Sequence, residues 1–241
     1  MPADEAYRRF LIERREELLG RIGDAARRAG RDPNDITLLA VSKTVGFEEL
    51  RQAWECGYVA FGENRPQELK RKVDAASQDA SLAGVRFDMI GNLQKNKINQ
   101  VLGVATLIHS VSSEPLAAAI SRRAERRGLV ARCLLEVNVS GEQTKSGFEP
   151  ANVLERAEEI AGLPGIAVEG LMTMAPARDA DAARRSFGGL RELRDVLERR
   201  MGTRLPVLSC GMSGDFDIAV EEGSTVVRLG RIVFDPAYDD K

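Results

Sequence analysis

The feature that most constrains this chain is an alternation. Eight short apolar runs occur at 36–41 (ITLLAV), 58–62 (YVAFG), 86–90 (RFDMI), 105–111 (ATLIHSV), 130–139 (VARCLLEVNV), 166–174 (IAVEGLMTM), 206–212 (PVLSCGM) and 225–229 (TVVRL). Helix-like stretches at 47–56, 64–78, 94–102, 114–128, 149–162, 179–201 and 214–222 lie between them. Strands that are apolar along nearly their whole length belong to a parallel sheet buried on both faces, and parallel neighbours need crossover helices. Eight such units in 241 residues suit a closed α/β barrel of the (β/α)8 TIM type, with a doubly wound open sheet as the competing topology.

A charged, amphipathic helix over 1–30 leads into this series, with Phe10, Leu11, Leu18, Leu19 and Ile22 at helical spacing and Gly30 as its stop. The stretch 149–162 ends in the same way, at Gly162 with Pro164 beyond it. Gly188–Gly189 lies inside the helical stretch 179–201 and counts against its being continuous. No linker or low-complexity segment divides the chain. The expectation is one domain over 1–241, with the barrel proper at 36–234.

Several classes of function are disfavoured by composition. A net charge of −2 leaves no electrostatic footprint for nucleic acid or an anionic membrane, and the basic run 122–128 reads as the solvated end of a helix. No apolar run reaches membrane-spanning length, and the charged N-terminus lacks the apolar region of a signal peptide. The three cysteines, Cys56, Cys133 and Cys210, are widely separated, which argues against a disulfide framework or zinc site and for a reducing, cytoplasmic location. The single histidine, His109, sits in an apolar strand and reads as a packing residue; a His-rich metal site is excluded. No dinucleotide or P-loop fingerprint is present.

Barrel chemistry gathers where strands end and βα loops begin. Here those positions carry Ser42–Lys43, Gly62–Glu63–Asn64, Gly91–Asn92, Asn138–Ser140, Thr173, Gly211–Met212–Ser213 and Arg228–Gly230–Arg231. Lysines 43, 95, 97 and 145 also fall just after predicted strands. Ser213 is placed to cap a helix starting near Gly214, and the loops after strands seven and eight commonly build a barrel's phosphate site. Gly230 could add a backbone donor, and Arg228 and Arg231 add positive charge; Asp215, Asp217 and Asp235 would oppose an anion if they faced it. Lys43 is either a solvated strand-end lysine or an amine kept for a carbonyl, in which case partial burial would lower its pKa.

Six motifs in order, LLAVSKT, FGEN, IGNLQKNK, EVNVSGEQTKSGF, EGLMTMAP and LSCGMSGDFDIAVEEGSTVVRLG, resemble the pyridoxal-phosphate homeostasis proteins. These were once called proline synthetase co-transcribed proteins and are single-domain relatives of the N-terminal barrel of alanine racemase, a fold type III cofactor barrel. The resemblance covers 36–234. It implies pyridoxal 5′-phosphate as cofactor, held as a Schiff base on Lys43, with Asn64 beside the ring. Ser213, Gly230 and the backbone at Arg231 would hold the phosphate, and Arg228 would lie near the pyridine side. An arginine facing the pyridine nitrogen discourages its protonation and weakens the electron sink.

The implied role is intracellular cofactor homeostasis without robust turnover, with no catalytic residue assigned and no metal. The implied partners are the cofactor itself and apo-enzymes that receive it, and the expected state is a monomer. An amino-acid racemase or lyase using the same lysine is the first alternative, and a cofactor-free Schiff-base aldolase the second. The tyrosines Tyr7, Tyr58 and Tyr238 offer no evident racemase base, and the chain is expected to lack the β-rich second domain of alanine racemase. The sequence departs from the family pattern in three places. Asp88 stands where an aromatic or histidine is expected, Arg231 replaces a small hydroxyl residue, and VFDP replaces the usual FG ending.

Overall fold

The computed structural model describes residues 2–142 and 144–238. Eight parallel strands follow one another around a closed barrel: β1 (Thr37–Val41), β2 (Ala60–Glu63), β3 (Arg86–Met89), β4 (Leu107–Val111), β5 (Ala131–Glu136), β6 (Ile166–Met172), β7 (Val207–Ser209) and β8 (Val226–Leu229). Closure is made by β1 on β8, in the register Thr37↔Val226 to Ala40↔Leu229. This realises the eight-unit barrel and excludes the open sheet. All eight expected strands are present, each shorter than or equal in length to its apolar run because the run continues into the loop.

The helices are α1 (Pro2–Arg28), α2 (Phe47–Glu55), α3 (Pro66–Ala76), α4 (Glu114–Arg126), α5 (Pro150–Ala161), α6 (Ala180–Met201), α7 (Phe216–Glu221) and a short α8 (Arg231–Phe234). Leu11, Leu18, Ile22, Ala25 and Ala26 form the buried stripe of α1, and the helix packs on α7 and α8. The guanidinium of Arg21 lies 4.4 Å from the centre of the Phe216 ring. Most of the core lies between strands and helices. Inside the barrel are two small apolar groups, Leu39, Ala60 and Val226, and Leu107, Leu134 and Met172.

One expected helix is continuous despite its glycine pair, and two sequence expectations are corrected. Helix α6 runs unbroken through Gly188–Gly189: the buried Ala183, Phe187, Leu190 and Leu197 hold it to the core, and a Cβ on Gly189 would sit 3.1 Å from Val139. The glycines serve close approach there, and tertiary packing overrides their low helix propensity. Residues 94–102 contain a 3-10 helix over Lys95–Gln100, in keeping with apolar anchors at Ile98 and Val101, three residues apart, which match its three-residue turn. Helix α7 starts at Phe216 with Asp215 as N-cap, so Ser213 and Gly214 belong to the preceding turn and Ser213 is not the cap.

Candidate functional site

Lys43 follows β1 at the C-terminal rim and is exposed, so the partial burial expected from the sequence is absent. Its loop is nevertheless held from beneath. Lys72 of α3 is 1 % exposed, and its ammonium donates to Ser42 O at 2.7 Å, to Val45 O at 2.9 Å and to Glu63 Oε1 at 2.5 Å. The Ser42 hydroxyl donates to the same Glu63 oxygen at 2.6 Å. The three ammonium protons are thus matched by two loop carbonyls and one carboxylate, so the backbone on both sides of Lys43 is tied to a buried ion pair.

Asn64 follows β2 and is half-buried. A Cβ on Gly91, in the loop after β3, would lie 2.2 Å from Asn64 O, closer than any side chain tolerates. Gly91→Ala is therefore expected to push the Asn64 turn outward and to cost roughly 1–3 kcal/mol, seen as a lower denaturant midpoint; an unchanged midpoint would show that the turn yields freely.

On the other side of the closure, Arg228 of β8 pairs in register with Leu39. It is 6 % exposed. Its Nη1 donates to Ser209 Oγ at 2.7 Å and its Nη2 to Thr173 O at 3.1 Å. Among the described residues no carboxylate forms a salt bridge with it, and burial pushes its pKa down. A buried guanidinium bonded only to neutral acceptors is costly to the fold and marks a candidate site.

Gly230 and Arg231 continue from β8 into α8, Gly230 as its N-cap. The Arg231 side chain is directed to the tail: its guanidinium lies 5.5 Å from the centre of the Tyr238 ring, so the compensating charge its sequence position suggested is engaged elsewhere. Ser213 is half-buried in the turn before α7. Gly211 has φ +95, and a Cβ there would be 2.6 Å from Ala219 Cβ, so glycine lets α7 close on the barrel end.

The acidic residues suspected of opposing an anion are occupied. Asp217 accepts from Arg21 Nη2 at 2.7 Å, Asp235 from Ala237 N at 2.9 Å, and Asp215 from Met212 N at 2.6 Å. Burial raises the Asp215 carboxyl above its usual range. Of the remaining lysines on this face, Lys145 is bonded to Glu142 Oε1 at 2.8 Å and Met174 O at 3.3 Å. Lys95 lines a separate recess of about 570 Å³ with Asn92, Ser112 and Ser113, which includes neither Lys43 nor Arg228.

His109 departs from the packing role read from sequence. It is fully buried and its ring is bonded at both nitrogens, Nδ1 to Ser209 Oγ at 2.9 Å and Nε2 to Asp88 Oδ2 at 3.0 Å. Arg86 completes the group, with Nη2 2.6 Å from Asp88 Oδ2. Burial lowers the His109 pKa against the opposing pull of Asp88, with Arg228 and Arg86 adding to the depression. Burial alone would raise the Asp88 carboxyl, but the hydrogen bonds from His109 and Arg86 bring it below its ordinary value. The sequence signal available for this group was the i, i+2 pair Arg86 and Asp88 on a strand that is otherwise apolar.

Because His109 resists protonation when folded, the unfolded chain binds more protons than the native one as pH falls below the unfolded value near 6.5. This share of stability is present above that value and is lost toward acid, by at most about 1.4 kcal/mol per pH unit. Glu136 and Asp215, raised by burial, act in the opposite sense in wild type and variant alike. His109→Gln should therefore remove the histidine's slope from stability measured between pH 7 and 5; equal slopes would refute the assignment.

Tyr7 donates to Phe234 O at 3.1 Å and Tyr58 to Leu11 O at 3.2 Å, both outside the barrel mouth. Glu136, at the end of β5, is 3 % exposed; its Oε1 accepts from Ser146 at 2.8 Å, while Oε2 is buried with no partner. Sequence reading passed over it. Among the described residues all three cysteines are free, no group of residues suits a metal ion, and no helix is long and apolar enough to cross a membrane.

Comparison with known proteins agrees with this architecture. Residues 21–236 match the family described as alanine racemase, N-terminal domain. A pyridoxal phosphate homeostasis protein from Aquifex aeolicus is 44 % identical over 223 residues, 92 % of this chain and 96 % of that one. A crystal structure of a protein from Bifidobacterium adolescentis has 39 % identity and a TM-score of 0.87, covering 95 % of this chain and 96 % of that one. The structure of PipY from Synechococcus elongatus with pyridoxal phosphate bound has 30 % identity and a TM-score of 0.80, covering 93 % and 99 %. This chain, a closed eight-stranded barrel that spans nearly the whole of such relatives, belongs to the pyridoxal phosphate homeostasis proteins within the alanine racemase N-terminal domain family.

Proposed function

We propose that this protein binds pyridoxal 5′-phosphate at the rim formed by β1 and β8 and takes part in keeping the free cofactor in balance. The observation that carries the reading is that the neighbouring strands β1 and β8, joined at the barrel closure, lead to a free amine on a pinned loop and carry a buried arginine that forms no salt bridge among the described residues. Lys43 supplies the amine that joins the aldehyde of the cofactor. Asn64 flanks the ring, Arg228 faces its pyridine nitrogen, and Ser213, Gly230 and the Arg231 backbone receive the phosphate. The donor set fits: an amine for an aldehyde, a cation for a ring acceptor, and a glycine-bordered turn for a phosphate. The PipY structure with the cofactor bound supports the binding of this cofactor by relationship.

When bound, pyridoxal phosphate supplies an electron sink for chemistry at amino-bearing carbons. Here Arg228 can only donate, so it disfavours a proton on the pyridine nitrogen and restrains that sink. The exposure of Lys43 suits a cofactor that is taken up and passed to apo-enzymes. The rest of the reading is a single domain over 1–241 acting as a monomer in the cytoplasm.

The test is to incubate the protein with pyridoxal phosphate, reduce with borohydride and map the modified peptide. Wild type should carry the reduced cofactor on Lys43 and lose its near-visible absorbance, and Lys43→Ala should carry none there. Equal labelling of Lys43→Ala at other lysines, with the same spectrum, would sink the assignment.

A further inference from the structure

The polar group inside the barrel fixes its own protonation by counting donors. Arg228 can only donate, so Ser209 Oγ accepts from it at 2.7 Å. A serine oxygen can accept twice, but its single proton has no other partner among the described residues, so the hydroxyl is satisfied only when it donates to His109 Nδ1 at 2.9 Å and that nitrogen accepts. The imidazole proton therefore sits on Nε2, which donates to Asp88 Oδ2 at 3.0 Å. Arg86 supplies the remaining donors to Asp88, Nε at 3.0 Å to Oδ1 and Nη2 at 2.6 Å to Oδ2.

The bonds thus run one way, from Arg228 through Ser209 and His109 to Asp88, where Arg86 meets them from the other side. Asp88, His109 and Ser209 are fully buried. They come from β3, β4 and β7, so β8 is tied to three other strands of the barrel through side chains alone.

We propose that His109, as the neutral Nε2–H tautomer, is a positioning residue for Arg228, holding its guanidinium through Ser209 at the angle that receives a heteroaromatic ring nitrogen. This rests on the cofactor reading above. The two ends of the relay differ in charge. Arg86 balances Asp88 locally, whereas Arg228 has Asp215 and Glu136 only at longer range and no carboxylate bonded to it, which leaves it free to complement an acceptor on a ligand. A proton on Nδ1 would reverse the Ser209 bond and set two cations facing each other, so the relay works only with a neutral ring. Asp88, which departs from the family pattern, is the anion that keeps the Nε2–H tautomer in place.

The experiment has two arms. Because the chain contains one histidine, ¹⁵N-histidine labelling gives one pair of ring signals. At pH 7.5, without cofactor, they should show a protonated Nε2 and a pyridine-type Nδ1; a cationic ring or the opposite tautomer overturns the relay. The second arm measures pyridoxal phosphate affinity by absorbance titration in variants whose fold is checked by circular dichroism. Ser209→Ala, which removes one oxygen, should bind about 10-fold to 100-fold more weakly, the loss of a hydrogen bond to a charged group.

His109→Leu should match Ser209→Ala or be worse, and His109→Gln, which can accept from Ser209 and donate to Asp88, should recover most of the affinity. A purely structural role would lower the stability of Ser209→Ala and leave its affinity at the wild-type value, and that result overturns the proposal. Failure of wild type to bind the cofactor at all overturns the cofactor reading and with it the positioning role, while the tautomer still reports on the relay separately.

Discussion

Replacing Lys72 with Met should destabilise the protein by about 3–5 kcal/mol, the cost of leaving a buried charge without its partner, and lower its melting temperature by on the order of 10 °C. Glu63 is 1 % exposed and would keep only the Ser42 hydroxyl as a donor among the side chains around it. The loop carbonyls of Ser42 and Val45 would lose the ammonium that now joins them. Removing both charges, Lys72→Met with Glu63→Gln, should recover a large part of the loss, since a neutral pair has no ion to strand.

Lys72→Met should also slow the cofactor attachment proposed for Lys43, because the pinned backbone on both sides of that residue would be released. Calorimetry of the two variants beside wild type decides the matter. If Lys72→Met melts within a degree or two of wild type, the pair does not clamp the loop. Lys70→Met, which deletes an exposed ion pair to Asp74, is the control and should change stability by less than about 1 kcal/mol.

Gly170→Ala should cost about 3 kcal/mol or more, with low yield of folded protein the visible result. A Cβ at this position would lie 1.8 Å from Val207 O and 2.7 Å from Val207 C. The obstacle is backbone from the neighbouring strand, and it cannot rotate away as a side chain would. The position is made tight by an irregularity. Strand β5 pairs Cys133 with Val168 and then Leu134 with Gly170, so Glu169 is left unpaired in a bulge of β6.

Strands β6 and β7 lead to Thr173 and Ser209, the two groups that hold Arg228. Gly214→Ala is the contrast, because nothing lies within 4 Å of a Cβ there; it should be tolerated. Wild-type stability of Gly170→Ala by urea unfolding would mean that β6 and β7 separate easily, contrary to the contact.

The barrel was legible because hydrophobic pattern is a local property. A run such as ITLLAV is strand-like wherever it falls, and eight such runs separated by helical stretches leave few topologies. The rim was legible for the same reason: glycine and polar residues cluster at strand ends, and six ordered motifs pointed to the family. Gly188–Gly189 counted against a continuous α6 because propensity was weighed without the packing that holds the helix. Ser213 misled because the cap belongs to Asp215, two residues on, and cap choice depends on where the chain turns against the barrel.

Sequence by itself thus determined the fold and the family, and it placed Lys43 just past the end of the first strand. Tertiary structure alone decided what supports them. Lys72 meets Glu63 only because α3 packs on β2. His109 meets Asp88 and Ser209, 21 and 100 residues away, only because the barrel closes. Such pairings depend on distances between segments far apart in the chain, and no periodicity records them. Burying polar groups is costly unless they are hydrogen-bonded. Closing the barrel around Asp88, His109, Ser209 and Arg228 therefore fixed their partners.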